Sequence, residues 1–201
     1  MLTSDQNRKI NEIVEEFKEA ADFYRMEYSE DLMGMFRDFG CMLLLKCKVD
    51  TEGKADLERL LEGRHKLKGT VKRQLMTVSE ELAQLWAPGE QDGSGDTGEY
   101  EGSQNVREMF QTALEEIFHF CLYSKGGKNR YLLPEETAKP LLRLLTFPEG
   151  MMAGNEGLVV LDTQCGAGSA LMAASRYLKN LRLMGYEKDE EMWAAAVIMS
   201  Q

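Results

Sequence analysis

The sequence predicts an all-α N-terminal region followed by a partial α/β domain with a short parallel sheet of the doubly wound kind. Three observations carry this expectation. Apolar residues recur at three and four through the first half of the chain. Residues 88–104 (Pro-Gly-Glu-Gln-Asp-Gly-Ser-Gly-Asp-Thr-Gly-Glu-Tyr-Glu-Gly-Ser-Gln) are rich in glycine and acid and read as a linker. Leu158–Ser169 is an apolar run that ends in an acid and a glycine loop, ahead of a small-residue stretch. Domains are therefore expected at 1–104, including the linker, and at 105–201.

The first helix is expected over 4–27, capped by Ser4 or Asp5, with Ile10, Ile13, Val14, Phe17, Ala20, Ala21 and Tyr24 on one stripe. A second fits 29–48, with Ser29 as cap and Leu32, Met35, Phe36, Phe39, Met42 and Leu43 inward. A third, long helix fits 53–86 from Leu57 to Leu85; Gly63 and Gly69 allow a kink or break in it, and Pro88 stops it. Together these suggest an antiparallel bundle or hairpin. A helix over 105–124, with Asn105 as cap, turns Val106, Met109, Phe110, Ala113, Leu114, Ile117, Phe118 and Cys121 inward. His119 on it reads as a core or boundary histidine rather than a ligand. Lys125–Arg130 is a turn, either a plain helix terminator or a loop flexing over a ligand. Pro134 suits the start of a helix over 135–146. Then come a strand at Leu158–Asp162, apolar without alternation and so expected to be buried on both faces, a helix over 170–180, a strand at Leu181–Tyr186 and a helix over 189–200.

Composition narrows the function classes. Of 201 residues 43% are hydrophobic, enough for a core, and the formal net charge is −10. So acidic a chain is a poor match for nucleic-acid phosphates unaided. The short basic run Arg64–Lys68 around His65 reads as solvated surface. Cys41, Cys47, Cys121 and Cys165 form no Cys-x-x-Cys pair, so reduced thiols are expected and no metal site. The polar N-terminus is unlike a signal peptide, and the apolar run Cys41–Leu45 is too short to span a bilayer; a cytoplasmic protein without membrane partners is expected.

The chemistry concentrates at the strand ends. Asp162 ends the first strand and Glu187 follows the second, where doubly wound sheets hold their ligands. Cys165-Gly166-Ala167-Gly168 would lie beneath a ligand, with backbone amides free at the helix start. Glu187 is placed to accept hydrogen bonds from two ribose hydroxyls. The loop is neither Gly-x-Gly-x-x-Gly nor a Walker A loop. Competing readings make Asp162 a helix-capping acid, Glu187 a solvated loop acid and Tyr131 ordinary packing.

Val160-Leu161-Asp162-Thr163-Gln164-Cys165-Gly166-Ala167-Gly168-Ser169 resembles the Val-Leu-Asp-Pro-x-Cys-Gly-Ser-Gly motif of S-adenosylmethionine-dependent adenine-N6 DNA methyltransferases, above all the modification subunits of type I restriction systems. Tyr131-Leu132-Leu133-Pro134 resembles their Tyr-x-Thr-Pro motif. The resemblance covers about 128–198; over 1–124 it extends only to a helical N-terminal region. It implies a Rossmann-like class I methyltransferase domain with S-adenosylmethionine as cofactor. Asp162 and the Cys165–Gly168 loop, with Gly166 and Gly168, would hold its methionine part. Glu187 would hold its ribose, and Tyr131 and Pro134 would flank it. No catalytic residue is identified. Thr163 stands for the family's Pro and Leu133 for its Thr, and the chain lacks the Asn/Asp-Pro-Pro-Tyr/Phe motif that grips the target base. The sequence also holds only the first two strands of the family's sheet. The expectation is a methyltransferase homologue that is incomplete alone, either a fragment or one piece of a split or partner-completed enzyme, with a sheet edge that invites a protein partner or self-association and DNA reached only with a partner. The alternative is a non-catalytic interaction or cofactor-sensing module.

Overall fold

The structure, a computed structural model, describes residues 2–47, 67, 69–86, 99–124, 130, 132–134, 137, 138, 140, 141, 158–177 and 181–200. Among them it is mostly helical, with six helices and one two-stranded parallel sheet. The chain divides into two units, Met1–Lys128 and Asn129–Gln201.

In the first unit, the three-and-four spacing buries Ile10, Ile13, Val14, Phe17, Ala20, Ala21 and Tyr24 along one face of α1 (Ser4–Glu27). Its cap is Thr3 rather than Ser4 or Asp5. The Thr3 hydroxyl accepts from the Gln6 amide at 3.3 Å, and the Gln6 side chain reaches back to the Thr3 amide at 2.7 Å, a reciprocal box closed to its neighbours by register. In α2 (Met33–Lys46), Met33 through Cys41 are all buried, as in a helix covered on every side. Ser29 does not cap it: its hydroxyl accepts from the Asp31 amide, and Asp31 in turn accepts from Met33. The long third helix is represented by α3 (Gly69–Trp86), which starts at a glycine with φ +63°, a conformation that a continuing right-handed helix cannot contain. Residues 53–66 of that expectation lie outside the described residues, as do 88–98 of the linker. Leu67, Val71, Leu75, Val78, Leu82 and Leu85 are buried as expected.

Helix α4 (Glu99–Leu122) begins six residues before the expected Asn105 cap, so residues 99–104 of the linker are helical. Both α3 and α4 contact α1 and α2. Aromatic rings lock the joints: Phe17 on Phe39 at 5.0 Å, Phe36 on Phe118 at 5.2 Å and Trp86 on Phe110 at 5.1 Å. That packing places α4 with the helical unit, Met1–Lys128. His119 is exposed, between the rings of Phe118 and Tyr123. Arg37 and Asp38 are an unforeseen buried pair, both within 3% of full burial, joined by two hydrogen bonds at 2.8 and 2.7 Å.

The second unit begins its described residues at Arg130. The Pro134 carbonyl accepts from the Thr137 and Ala138 amides and opens a helical turn; residues 142–146 of that expected helix lie outside the described residues. Strand β1 (Leu158–Asp162) then pairs in parallel with β2 (Leu181–Gly185), Leu158 opposite Leu181 and Asp162 opposite Gly185. Between them α5 (Ser169–Tyr177) contacts both strands, and α6 (Glu190–Met199) follows β2. Burial of β1 on both faces is not observed. Val159 is 47% and Leu161 54% exposed while Val160 between them is half-buried, the alternation of a sheet covered on one face. No helix among the described residues is long and apolar enough to cross a membrane.

Candidate functional site

Five of the seven expected site residues meet at the carboxyl ends of the two strands. The Asp162 carbonyl accepts from the Tyr186 amide, and the Tyr186 carbonyl accepts from Cys165, so the chain leaving β1 is stitched to the chain leaving β2. Asp162 Oδ1 accepts from the Gln164 amide at 3.0 Å, which makes it a turn-forming acid within the loop and not a helix cap. The Cys165 carbonyl accepts from Gly168 at 2.8 Å and closes the turn.

Two glycines make this loop possible. Gly166 has φ +55° and Gly168 φ +81°. A Cβ on Gly168 would also stand 3.4 Å from the Ala196 Cβ, so that glycine lets α6 approach the loop closely. A third position was not singled out from sequence. A Cβ on Gly185 would fall 2.8 Å from Cys165 Sγ and 2.9 Å from Leu171 Cδ1. No signal in the sequence distinguishes Gly185 from an ordinary strand-end glycine.

Glu187 is not a solvated acid. Its Oε2 accepts from the Gly166 amide at 3.0 Å and its Oε1 from the Asp189 amide at 2.9 Å. It ties the glycine loop to the start of α6, and each oxygen keeps further acceptor capacity. Of the loop amides expected to be free, those of Cys165, Gly166 and Gly168 donate within the unit, as does the preceding Gln164.

Asp189 caps α6, its Oδ1 accepting from Glu191 at 3.0 Å and Met192 at 3.2 Å. Arg130 joins this group from far back in the chain. Its guanidinium, with only 4% of the side chain exposed, meets Asp189 Oδ2 at 3.3 Å and also Glu191 Oε2. Arg130, Asp189 and Glu191 were missed because nothing local in the sequence links residues 59 and 61 positions apart. Burial raises the Cys165 thiol above its usual range, and the Asp162 and Glu187 carboxylates add to that.

Of the remaining expected residues, Pro134 is exposed and its bonds are local to its own turn, and Tyr131 lies outside the described residues. Among the described residues no group of three or more His, Cys, Asp or Glu side chains could hold a metal ion. Comparison of the chain with family models, curated proteins and solved structures returns no match.

Proposed function

We propose that the α/β unit is a Rossmann-like binding site for S-adenosylmethionine, of the kind used by adenine-N6 DNA methyltransferases. The observation that carries this is the state of the glycine loop. Two positive-φ glycines open its backbone to a ligand, yet its amides at 164, 165, 166 and 168 are all engaged. Those four amides are already committed and are not offered to a phosphate. Asp162 and Glu187 bond to amides of the loop itself, while Asp189 and Glu191 are paired with Arg130; the two carboxylates at the loop disfavour phosphate and suit a cation. A nucleoside without phosphates and with a sulfonium charge matches both features.

When bound, the cofactor supplies an electrophilic methyl group. Glu187 accepts from the two ribose hydroxyls with the acceptor capacity left on its oxygens. Asp162 and the Cys165–Gly168 loop carry the methionine part, with Tyr131 and Pro134 flanking. Transfer to DNA would also need a pocket for the extruded adenine and a basic surface for the phosphates, beyond the residues described at this site.

Isothermal titration of S-adenosylmethionine, and of its demethylated product, tests the reading. Micromolar binding by the wild-type chain is expected, with loss in Asp162→Ala and Glu187→Ala. Absence of binding by the folded wild type would sink it. A second reading is a cofactor-sensing or interaction module with no transfer step. It predicts cofactor binding with no methyl transfer to DNA in the presence of any candidate partner.

A further inference from the structure

We infer that Arg130 is the positioning residue of this site, holding Glu187 through Asp189 so that the glycine loop is set before a ligand arrives. The inference rests on reading Glu187 and the glycine loop as the ligand-binding end of the sheet. The contacts form a continuous relay. Arg130 meets the Asp189 carboxylate, the Asp189 amide donates to Glu187 Oε1, and Glu187 Oε2 accepts from Gly166. A second arm of the guanidinium reaches Glu191 on the first turn of α6.

Residue type and burial both fit this role. One planar guanidinium can serve two carboxylates at once in fixed directions, which an ammonium cannot. The Arg130 side chain is 4% exposed, whereas those of Asp189 and Glu191 are 27% and 23% exposed, so the cation is the inner member of the cluster. Four carboxylates gather at the strand ends, and their mutual repulsion would spread the loop and the start of α6 apart. Arg130 offsets that repulsion on the α6 side, where Asp189 and Glu187 share a backbone link. Arg130 acts on a ligand only through Glu187 and is no catalytic residue.

The test reads the ligand-free chain first. Residue-resolved hydrogen exchange in Arg130→Gln is expected to speed the Gly166 and Asp189 amides about tenfold, while the Ala174 amide inside α5 keeps its wild-type rate. Arg130→Lys, which keeps the charge but not the fork, is expected to fall between and serves if the glutamine variant does not fold. Wild-type protection at Gly166 in both folded variants would overturn the inference. Titration with S-adenosylmethionine then adds a second arm, with affinity expected to fall about tenfold in Arg130→Gln and to recover partly in Arg130→Lys. A wild-type chain that takes no cofactor, but whose Gly166 amide responds to Arg130→Gln, upholds the relay and removes only the cofactor reading.

Discussion

The two units bury different things. The helical unit closes over large rings and branched chains: Phe17, Phe36, Phe39, Phe110 and Phe118 are essentially inaccessible. Among the described residues, the buried ones of the α/β unit are mostly small, including Ala138, Ala167, Ala173, Ala174, Ala194 and Ala195, while Val159, Leu161 and Tyr186 are exposed. One unit is held by apolar area and ring packing. Among the described residues of the other, close backbone approach and a polar relay stand out instead. Stability is rarely uniform across a chain, and ligand-binding segments are drawn from its weaker end. The contrast therefore sets close backbone packing and a polar relay in the α/β unit against ring packing in the helical one.

The largest expected effect falls in the helical unit. Phe36→Ala empties a site closed by Phe118 at 5.2 Å and should cost about 3–5 kcal/mol in urea unfolding. A loss below about 1 kcal/mol would mean that ring packing is not what holds that unit. Next comes Gly185→Ala, where the new methyl would meet Cys165 Sγ at 2.8 Å and Leu171 at 2.9 Å. The expected cost is about 1–3 kcal/mol. A substitution that leaves stability unchanged would show the α/β unit to be more yielding than its close contacts imply.

A smaller effect is expected in acid. Burial opposes ionisation of Asp189, but the Arg130 hydrogen bond, the Met192 amide, the Arg130 charge and the Glu191 amide outweigh it and hold its carboxyl below the usual 3.8. A depressed acid contributes its stability in full above the unfolded value, and loses it as pH falls through the folded one. Thermal melts taken downward from neutral pH should show the α/β unit loosening below about pH 4, and Asp189→Asn, still a good cap, should flatten that dependence. The smallest effect has the opposite sign. Burial, then the charges of Glu81 and Glu19, push the Glu16 carboxyl above its usual 4.5. A raised acid favours the folded state while protonated, and that contribution is lost as pH rises through the folded value. Glu16→Gln should therefore raise the melting midpoint slightly near neutral pH and leave it unchanged below about pH 4.

What the sequence made legible was whatever depends on local period. The stripes of α1, α3 and α4 and the strand–loop–helix at Leu158–Ser169 follow from spacing alone, and the stripes are buried largely as spacing requires. Punctuation was harder to read. Thr3, Ser4 and Asp5 can each cap a helix, and the choice is made by the reach of Gln6. Apolar spacing runs through Gly69 without a sign of the positive φ that starts α3 there. The glycines and acids of 99–104 resemble a linker in composition yet form the first turns of α4. At the site, Asp162, the glycine loop and Glu187 were readable because the strands announce their own ends. The Arg130 cluster was not, because it depends on which distant segments the fold brings together. An apolar strand likewise cannot say whether both of its faces will be covered, and Val159 and Leu161 are not.

The four free cysteines turn this contrast into something that can be timed. Burial, with the Asp38 charge added and partly offset by Arg37, pushes Cys41 up to about 12; burial pushes Cys47 to about 11 and Cys121 well above the usual thiol range. Cys165 is raised as well, and its sulfur occupies the space that denies Gly185 a side chain. Only the thiolate is alkylated, so a native thiol held this high is nearly silent at neutral pH and reacts when its surroundings open. The chain thus carries its own clocks. Cys41 and Cys121 mark each opening of the helical unit and Cys165 each opening of the glycine loop at the strand ends, and a pulse of reagent followed by mass spectrometry reads the two rates from one unmodified protein.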